Sequence, residues 1–179
     1  MFKWSAVLLV IWTATLLVAV LVAANSKVKY FDPKNVLHQS ALSLSFDISF
    51  VDALSKLNLD LAGSVIHFQQ GECFCQAIAH GHINSVEKLA ENKQFKNIII
   101  NLDEHKSLIR LIPSVPAVAV IDKASKLRYF GPYSSGMFCN QGDGLVEPFI
   151  KNWQTAATAA TGATIISQSQ GCYCNLSEL

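Results

Sequence analysis

Charged residues are scarce in this sequence. Lysine, arginine, aspartate and glutamate make up 15% of its 179 residues, and the formal net charge is +1. The chain has no basic patch and no run of like charges. It therefore lacks the electrostatic footprint of a nucleic-acid-binding protein, and nucleic acid is not expected as a partner.

One long apolar run, residues 5–24, opens the chain and carries no charge. A helix of that length covers about 30 Å, the thickness of a bilayer core, so the lipid bilayer is the expected partner of this segment. No cysteine lies near its end, which excludes a lipoprotein cleavage site. Lys3 and the small residues Val22-Ala23-Ala24 also fit a cleaved signal peptide. An uncleaved transmembrane anchor is favoured, because the apolar region of a signal peptide usually has only about 7–15 residues.

The rest of the chain alternates between strand and helix patterns. The predicted organisation is an anchor (or signal peptide) at 1–24, a linker and N-terminal extension at 25–48, a folded domain at 49–154 and a C-terminal extension at 155–179. Helices are predicted at 49–59, from Cys73 onward, between Asp103 and Leu111, and at 145–153; strands are predicted at 64–69, 97–102, 117–121, 127–130 and 164–166. This order predicts an α/β fold with a mostly parallel sheet covered by helices on both faces, plus an antiparallel hairpin at one edge.

Cysteine is used in an unusual pattern. Four of the five cysteines form two Cys-x-Cys pairs, Cys73 with Cys75 and Cys172 with Cys174, and Cys139 stands between the pairs. Buried structural cysteines scatter like small apolar residues, whereas pairs at short spacing indicate redox or metal chemistry.

Two segments carry a resemblance to the thioredoxin superfamily. Val65-Ile66-His67-Phe68 leads into Cys73-Phe74-Cys75, and residues 112–123 have a proline before a buried strand that ends in Asp-Lys. The resemblance covers residues 64–153 and implies a thioredoxin-like central mixed sheet flanked by helices. It also implies that Pro116 is a cis-proline facing the cysteines. The family's usual Trp-Cys-x-x-Cys site is replaced here by a Cys-x-Cys site without the tryptophan.

The whole chain resembles uncharacterised, membrane-anchored thioredoxin-fold proteins of bacteria. The localisation expected from this resemblance is the bacterial inner membrane, with a single membrane pass. Lys27, Lys29 and Lys34 after the apolar run would keep the soluble part in the cytoplasm by the positive-inside rule. The signal-like start of the chain favours export, so a periplasmic domain is expected.

Thiol-disulfide exchange is the function that this pattern favours. Cys73 is the candidate nucleophile, because a helix N-terminus lowers the pKa of a thiol, although Glu72 opposes this effect. Cys75 is the candidate resolving thiol. Side chains two positions apart in a helix diverge by about 200°, so a bond between these two cysteines would be strained and easily reduced. An oxidant or isomerase acting on a thiol-bearing protein is therefore favoured over a reductant.

Other roles stay open at this stage. Cys139, Cys172 and Cys174 are candidate accessory thiols, and the tail pair could exchange with, or share a metal with, Cys73 and Cys75. Two alternatives are a thiolate-based carrier of copper or zinc and a binding module that has the fold without the catalysis. No cofactor-binding motif is predicted. His80 and His82 are expected to be solvated helix residues, of which only His82 shares a face with Cys75; His67 is expected to be packed in its strand.

Overall fold

The computed structural model of the chain describes residues 2–25, 28–136, 144–152 and 162–176. Its first element is helix α1 (Phe2–Asn25). Within it, Trp4–Ala23 has a mean hydropathy of 2.7, and none of that window is buried against the rest of the chain. The helix is long and apolar enough to cross a membrane, a property that anchors and signal sequences share.

The remaining elements form one α/β unit. Its helices are α2 (Val36–Ala41), α3 (Phe46–Ser55), α4 (Phe74–Asn92), a 3₁₀ helix (Lys106–Arg110) and α5 (Glu147–Lys151). Its strands are β1 (Val28–Tyr30), β2 (Ser64–Gln69), β3 (Lys96–Asn101), β4 (Ser114–Val115), β5 (Ala117–Ile121), β6 (Leu127–Gly131), β7 (Thr164–Ile165), β8 (Gln170–Cys172) and β9 (Cys174–Asn175).

Five strands make the central sheet, in the order β3-β2-β5-β6-β7. The pairs β2–β3 and β6–β7 are parallel, whereas β2–β5 and β5–β6 are antiparallel. The predicted fold class, a mixed sheet flanked by helices and preceded by an apolar helix, is confirmed. The expectation of a mostly parallel sheet is wrong, because residues 102–116 between β3 and β5 hold only a short 3₁₀ helix and β4. A β5 strand parallel to β3 would need a crossover connection, usually an α-helix, that returns to the end of the sheet where β3 begins.

The two faces of the sheet bury different side chains, since neighbouring residues of a strand point to opposite sides. On one face the ring of Phe50 from α3 packs 4.5 Å from that of Phe130 and 6.3 Å from that of Phe68. Helix α4 buries a stripe that recurs every three to four residues, as expected of an amphipathic helix: Cys75, Ala79, His82, Val86 and Ala90. Of these, Val86 and Ala90 pack with Val65 on the other face of the sheet.

The N-terminal and C-terminal extensions pack against the domain and do not hang free of it. The predicted linker contains β1 and α2, and its Phe31 and Leu37 are buried in the core. The C-terminal extension supplies three strands: β7 extends the central sheet, β8 pairs with β1, and β9 pairs with β4. The N-terminal and C-terminal extensions therefore meet on the same part of the domain. Cys139 and part of the predicted terminal helix lie outside the described residues.

Candidate functional site

Cys73 stands at the N-terminal boundary of α4, with an extended backbone conformation (φ −94°, ψ 107°), and Cys75 lies in the first turn. The approach to the helix is fixed by side chains. The Gly71 amide donates to the Asp103 carboxylate at 2.9 Å, and the Gln70 amide donates to the side-chain oxygen of Gln76 at 3.2 Å. These bonds set the strand-to-helix turn that presents the first Cys-x-Cys pair.

All four paired cysteines meet at this turn. Cys73 is bonded to Cys174 and Cys75 to Cys172, with Cα–Cα distances of 5.8 and 5.2 Å. Neither Cys-x-Cys pair is closed on itself. Each cysteine at the start of α4 is bonded instead to a cysteine of the tail.

The predicted cis bond at Val115–Pro116 is present. The Cys73 sulfur lies 3.7 Å from the Val115 carbonyl oxygen, which places this turn against the candidate nucleophile. The cis-proline turn, β4 before it and the start of α4 thus form one contiguous surface.

The tail is docked on that surface by backbone bonds. Cys174 and Asn175 of β9 pair with Val115 and Ser114, and the Leu176 amide donates to the Pro113 carbonyl at 2.9 Å. The register puts the bonded Cys174 directly opposite Val115. In this state the tail covers the edge of β4.

The aromatic residues inside the two Cys-x-Cys pairs have opposite environments. Tyr173 is 4% exposed, and its hydroxyl donates to the Ser134 carbonyl at 2.8 Å. Phe74 is 62% exposed. The tail pair is therefore built into the domain, whereas the helix pair presents an aromatic ring to solvent beside the sulfurs.

A cleft of 310 Å³ reaches Cys73. Its lining carries neutral amides and no carboxylate: Gln69, Gln70, Gly71, Cys73, Gln76, Ala77, His80 and Asn101. A larger cleft of 570 Å³ lies beside α3 and residues 125–128 and has no cysteine in its lining. The smaller cleft is the one relevant to thiol chemistry. Within the described ranges, no group of three or more His, Cys, Asp or Glu residues could hold a metal ion.

A buried polar network occupies the α4 side of the sheet. His82, expected to be solvated, is instead buried, and its Nε2 lies 2.7 Å from a carboxylate oxygen of Glu147.

His80 is exposed and His67 is buried, as expected. His67 contacts the Tyr133 hydroxyl at 2.6 Å through Nδ1 and the side-chain oxygen of Asn97 at 3.0 Å through Nε2. These partners fit a neutral imidazole, with Nε2 donating to Asn97 and Nδ1 accepting from Tyr133.

The buried side chains of His67 and Glu147 make the stability of the fold sensitive to acid. Burial lowers the pKa of His67 below its ordinary 6.5. Burial raises the pKa of Glu147, but the hydrogen bond and charge of His82 outweigh this and leave it below its ordinary 4.5. A group with a depressed folded-state pKa binds its proton more readily when unfolded, so its stabilisation is lost as pH falls.

The free energy of unfolding should therefore begin to fall as pH drops through 6.5, where unfolded His67 takes up a proton, and fall further below 4.5 through Glu147. Urea unfolding between neutral pH and the acid range measures this decline. His67→Gln should flatten the first part of the curve, and the matched control His80→Gln, at an exposed site, should keep it. An unchanged slope in His67→Gln would show that another group causes the decline.

Several site residues could not be assigned from sequence. Ser114, Asn175 and Leu176 carry no chemical signature, and their roles arise from the pairing of two strands in which Ser114 and Asn175 are 61 residues apart along the chain. Glu147 lies 65 residues from His82, and only the tertiary fold brings them together. The one sequence signal for the tail is the repetition of the Cys-x-Cys spacing itself.

Comparison with known families matches residues 45–176 to a Domain of unknown function (DUF6436). The match covers more than two thirds of the chain and includes both Cys-x-Cys pairs and the tail up to Leu176. No curated protein and no solved structure matches the chain.

Proposed function

The chain belongs to the DUF6436 family, and we propose that it is a membrane-anchored thiol-disulfide redox protein with a thioredoxin-like fold. Its site is the Cys73-x-Cys75 pair at the start of α4. One observation carries the proposal: four cysteines from two distant Cys-x-Cys pairs converge at a helix N-terminus beside a cis-proline. The mixed sheet flanked by helices is compatible with that fold.

As folded, the protein is the oxidised form, so the reaction open to it is oxidation of a client dithiol. A client thiolate attacks the Cys73 sulfur, the Cys73–Cys174 bond breaks, and Cys174 leaves as a thiolate. A second client thiolate then attacks the client sulfur of the mixed disulfide and releases Cys73. The client gains a disulfide and loses two electrons, which the protein holds as two thiols together with the two client protons.

The Cys73–Cys174 bond is the one expected to react first. All of these cysteines except Cys174 are buried, but Cys73 lines the 310 Å³ cleft and its partner Cys174 is only partly buried, whereas Cys75 and Cys172 do not line that cleft. The amides and dipole at the start of α4 also stabilise a thiolate at Cys73, which makes that sulfur the better leaving group in the second step. The Cys75–Cys172 bond holds the tail nearby during the exchange.

Exchange with a defined client tests this function. The oxidised full-length chain in detergent is mixed with a reduced synthetic peptide that carries two cysteines, and alkylated digests are analysed by mass spectrometry. We expect the peptide to gain one disulfide while Cys73 and Cys174 become alkylated before Cys75 and Cys172. Cys139→Ser is the control, and its exchange should match that of the unchanged chain. Peptide oxidation no faster than in a protein-free sample, with both bridges intact, would end the proposal.

The cellular setting belongs to the same proposal: a single-pass anchor in a bacterial inner membrane, with the domain in the periplasm. Disulfides persist in oxidising compartments, and two bridges in one small domain favour export. Alkaline phosphatase fused to the C-terminus should be active, and the mature chain should keep its N-terminal segment in membrane fractions. An inactive phosphatase fusion together with bright fluorescence from a cytoplasmic reporter would place the domain on the other side.

A further inference from the structure

We propose that the tail residues 174–176 occupy the client-binding site, and that the preferred clients are extended peptides in which a cysteine is followed by an amide side chain and then an aliphatic one. This rests on the proposed exchange function and deepens it by naming the substrate class. The tail is a tethered copy of that client, held on Cys73 by the bond that a client thiol would replace.

The first observation is the ladder between β9 and β4. Cys174 pairs with Val115, Asn175 pairs with Ser114, and the Leu176 amide donates to the Pro113 carbonyl. Within the part of the chain that the structure describes, β4 has no other strand partner. Departure of the tail would leave these backbone groups unpaired, and an open strand edge binds extended peptides through main-chain hydrogen bonds.

The second observation is the recognition of the residue after the cysteine. The Asn175 side-chain nitrogen donates to the Tyr30 carbonyl at 3.0 Å and to the Ser114 hydroxyl at 2.6 Å. The Ser114 hydroxyl in turn donates to the Phe31 carbonyl. Both partners of Asn175 therefore accept, which requires an N–H donor at this position. A carboxylate cannot donate and would face the Tyr30 carbonyl instead.

The third observation is the burial of the next residue. Leu176 is 2% exposed and belongs to the hydrophobic core on the Phe50 side of the sheet. A polar side chain at this position would lose the apolar burial that Leu176 provides. The three positions together define a short client sequence: cysteine, asparagine or glutamine, and an aliphatic residue.

Trapping of synthetic peptides tests this preference in the full-length chain. Cys172→Ser/Cys174→Ser removes the tail thiols, so that Cys73 can be reduced and cannot be resolved by the tail. The probes are Tyr-Cys-Asn-Leu, Tyr-Cys-Asp-Leu and Tyr-Cys-Asn-Ser peptides, each activated at cysteine as a mixed disulfide with thionitrobenzoate. The Cys73 thiolate attacks the peptide sulfur, the peptide becomes bonded to Cys73, and thionitrobenzoate leaves as a coloured thiolate.

The Asn-Leu peptide should react with Cys73 at least about tenfold faster than either changed peptide, after each rate is divided by the rate of the same peptide with glutathione. The tethered tail competes equally with every peptide for the site, so its effect cancels when the normalised rates of two peptides are compared. The double variant also frees Cys75, the partner of Cys172, so peptide mapping must place the bond on Cys73 and not on Cys75 or Cys139. Equal normalised rates would overturn the inference while leaving the exchange function standing. A Cys73 that does not react even with glutathione disulfide would overturn both.

Because the double variant could lose its fold, circular dichroism and the reduced unchanged chain provide a second measurement. In that chain the tail thiols resolve each peptide adduct, so the readout is the burst of thionitrobenzoate and the free peptide thiol that follows. The same order of peptides is expected. A burst of the same rate for all three peptides contradicts the inference here as well.

Discussion

Replacing Cys73, Cys75, Cys172 and Cys174 together by alanine should lower the free energy of unfolding by about 6–7 kcal/mol, whereas removing either bridge alone should cost about 2 kcal/mol. The two bridges span 101 and 97 residues, and one loop lies inside the other. With one bridge in place, the second closes only a small ring. A loop of about 100 residues restricts the unfolded chain by about 4.7 kcal/mol, and a ring of a few residues by about 2 kcal/mol.

The loss in the four-alanine chain should therefore exceed the sum of the losses in the two single-bridge variants, Cys73→Ala/Cys174→Ala and Cys75→Ala/Cys172→Ala. Urea unfolding of all three chains without reductant measures this. Cys139→Ala is the control for the loss of a thiol without the loss of either bridge. Strictly additive losses would mean that the bridges act through separate local contacts in the folded state and not through the shared loop.

The strands that the sequence predicts best are bounded by strong local signals. Residues 64–69 lie between Gly63 and Gly71, and residues 117–121 lie between Pro116 and Asp122; both are found at the predicted bounds. Each is a short apolar run whose ends are fixed by residues that cannot extend it. Residues 164–166 also dock on the sheet edge as expected, as β7.

Predictions fail where a distant partner decides the structure. The helix predicted at 49–59 instead spans Phe46–Ser55, so Asp47 lies inside it, and the Asp47 carboxylate accepts from the Ala163 amide at 3.0 Å. The linker prediction at 25–48 misses β1 because its strand partner, β8, is about 140 residues away along the chain. Short strands of two or three residues have no periodicity of their own to report.

The cysteine pairing is also decided by segments that are far apart along the chain. Four cysteines allow three connectivities, and spacing does not choose among them. The choice follows from the register of β9 on β4, which brings Cys174 to Cys73 and Cys172 to Cys75. Cys75, the resolving thiol expected from the sequence, is bonded to Cys172. Under the proposed function, the thiol that resolves an adduct on Cys73 is therefore its bonded partner Cys174.

Cys73→Ser should abolish exchange, and Cys174→Ser should accumulate a covalent adduct when the chain is offered a client disulfide. In Cys174→Ser the Cys73 thiolate attacks the client disulfide and one client thiolate leaves. The adduct persists, because the Cys174 sulfur that would attack Cys73 and release the client is gone. Non-reducing electrophoresis and peptide mapping detect the adduct. Cys75→Ser is the discriminating control. Once its Cys73–Cys174 bond has been reduced and the reductant removed, Cys73 forms the same adduct; the Cys174 thiolate then attacks Cys73, re-forms that bond and releases the client, as in the unchanged chain treated in the same way. Accumulation of the adduct in Cys75→Ser and not in Cys174→Ser would return the resolving role to Cys75 and show that the tail only fastens the fold.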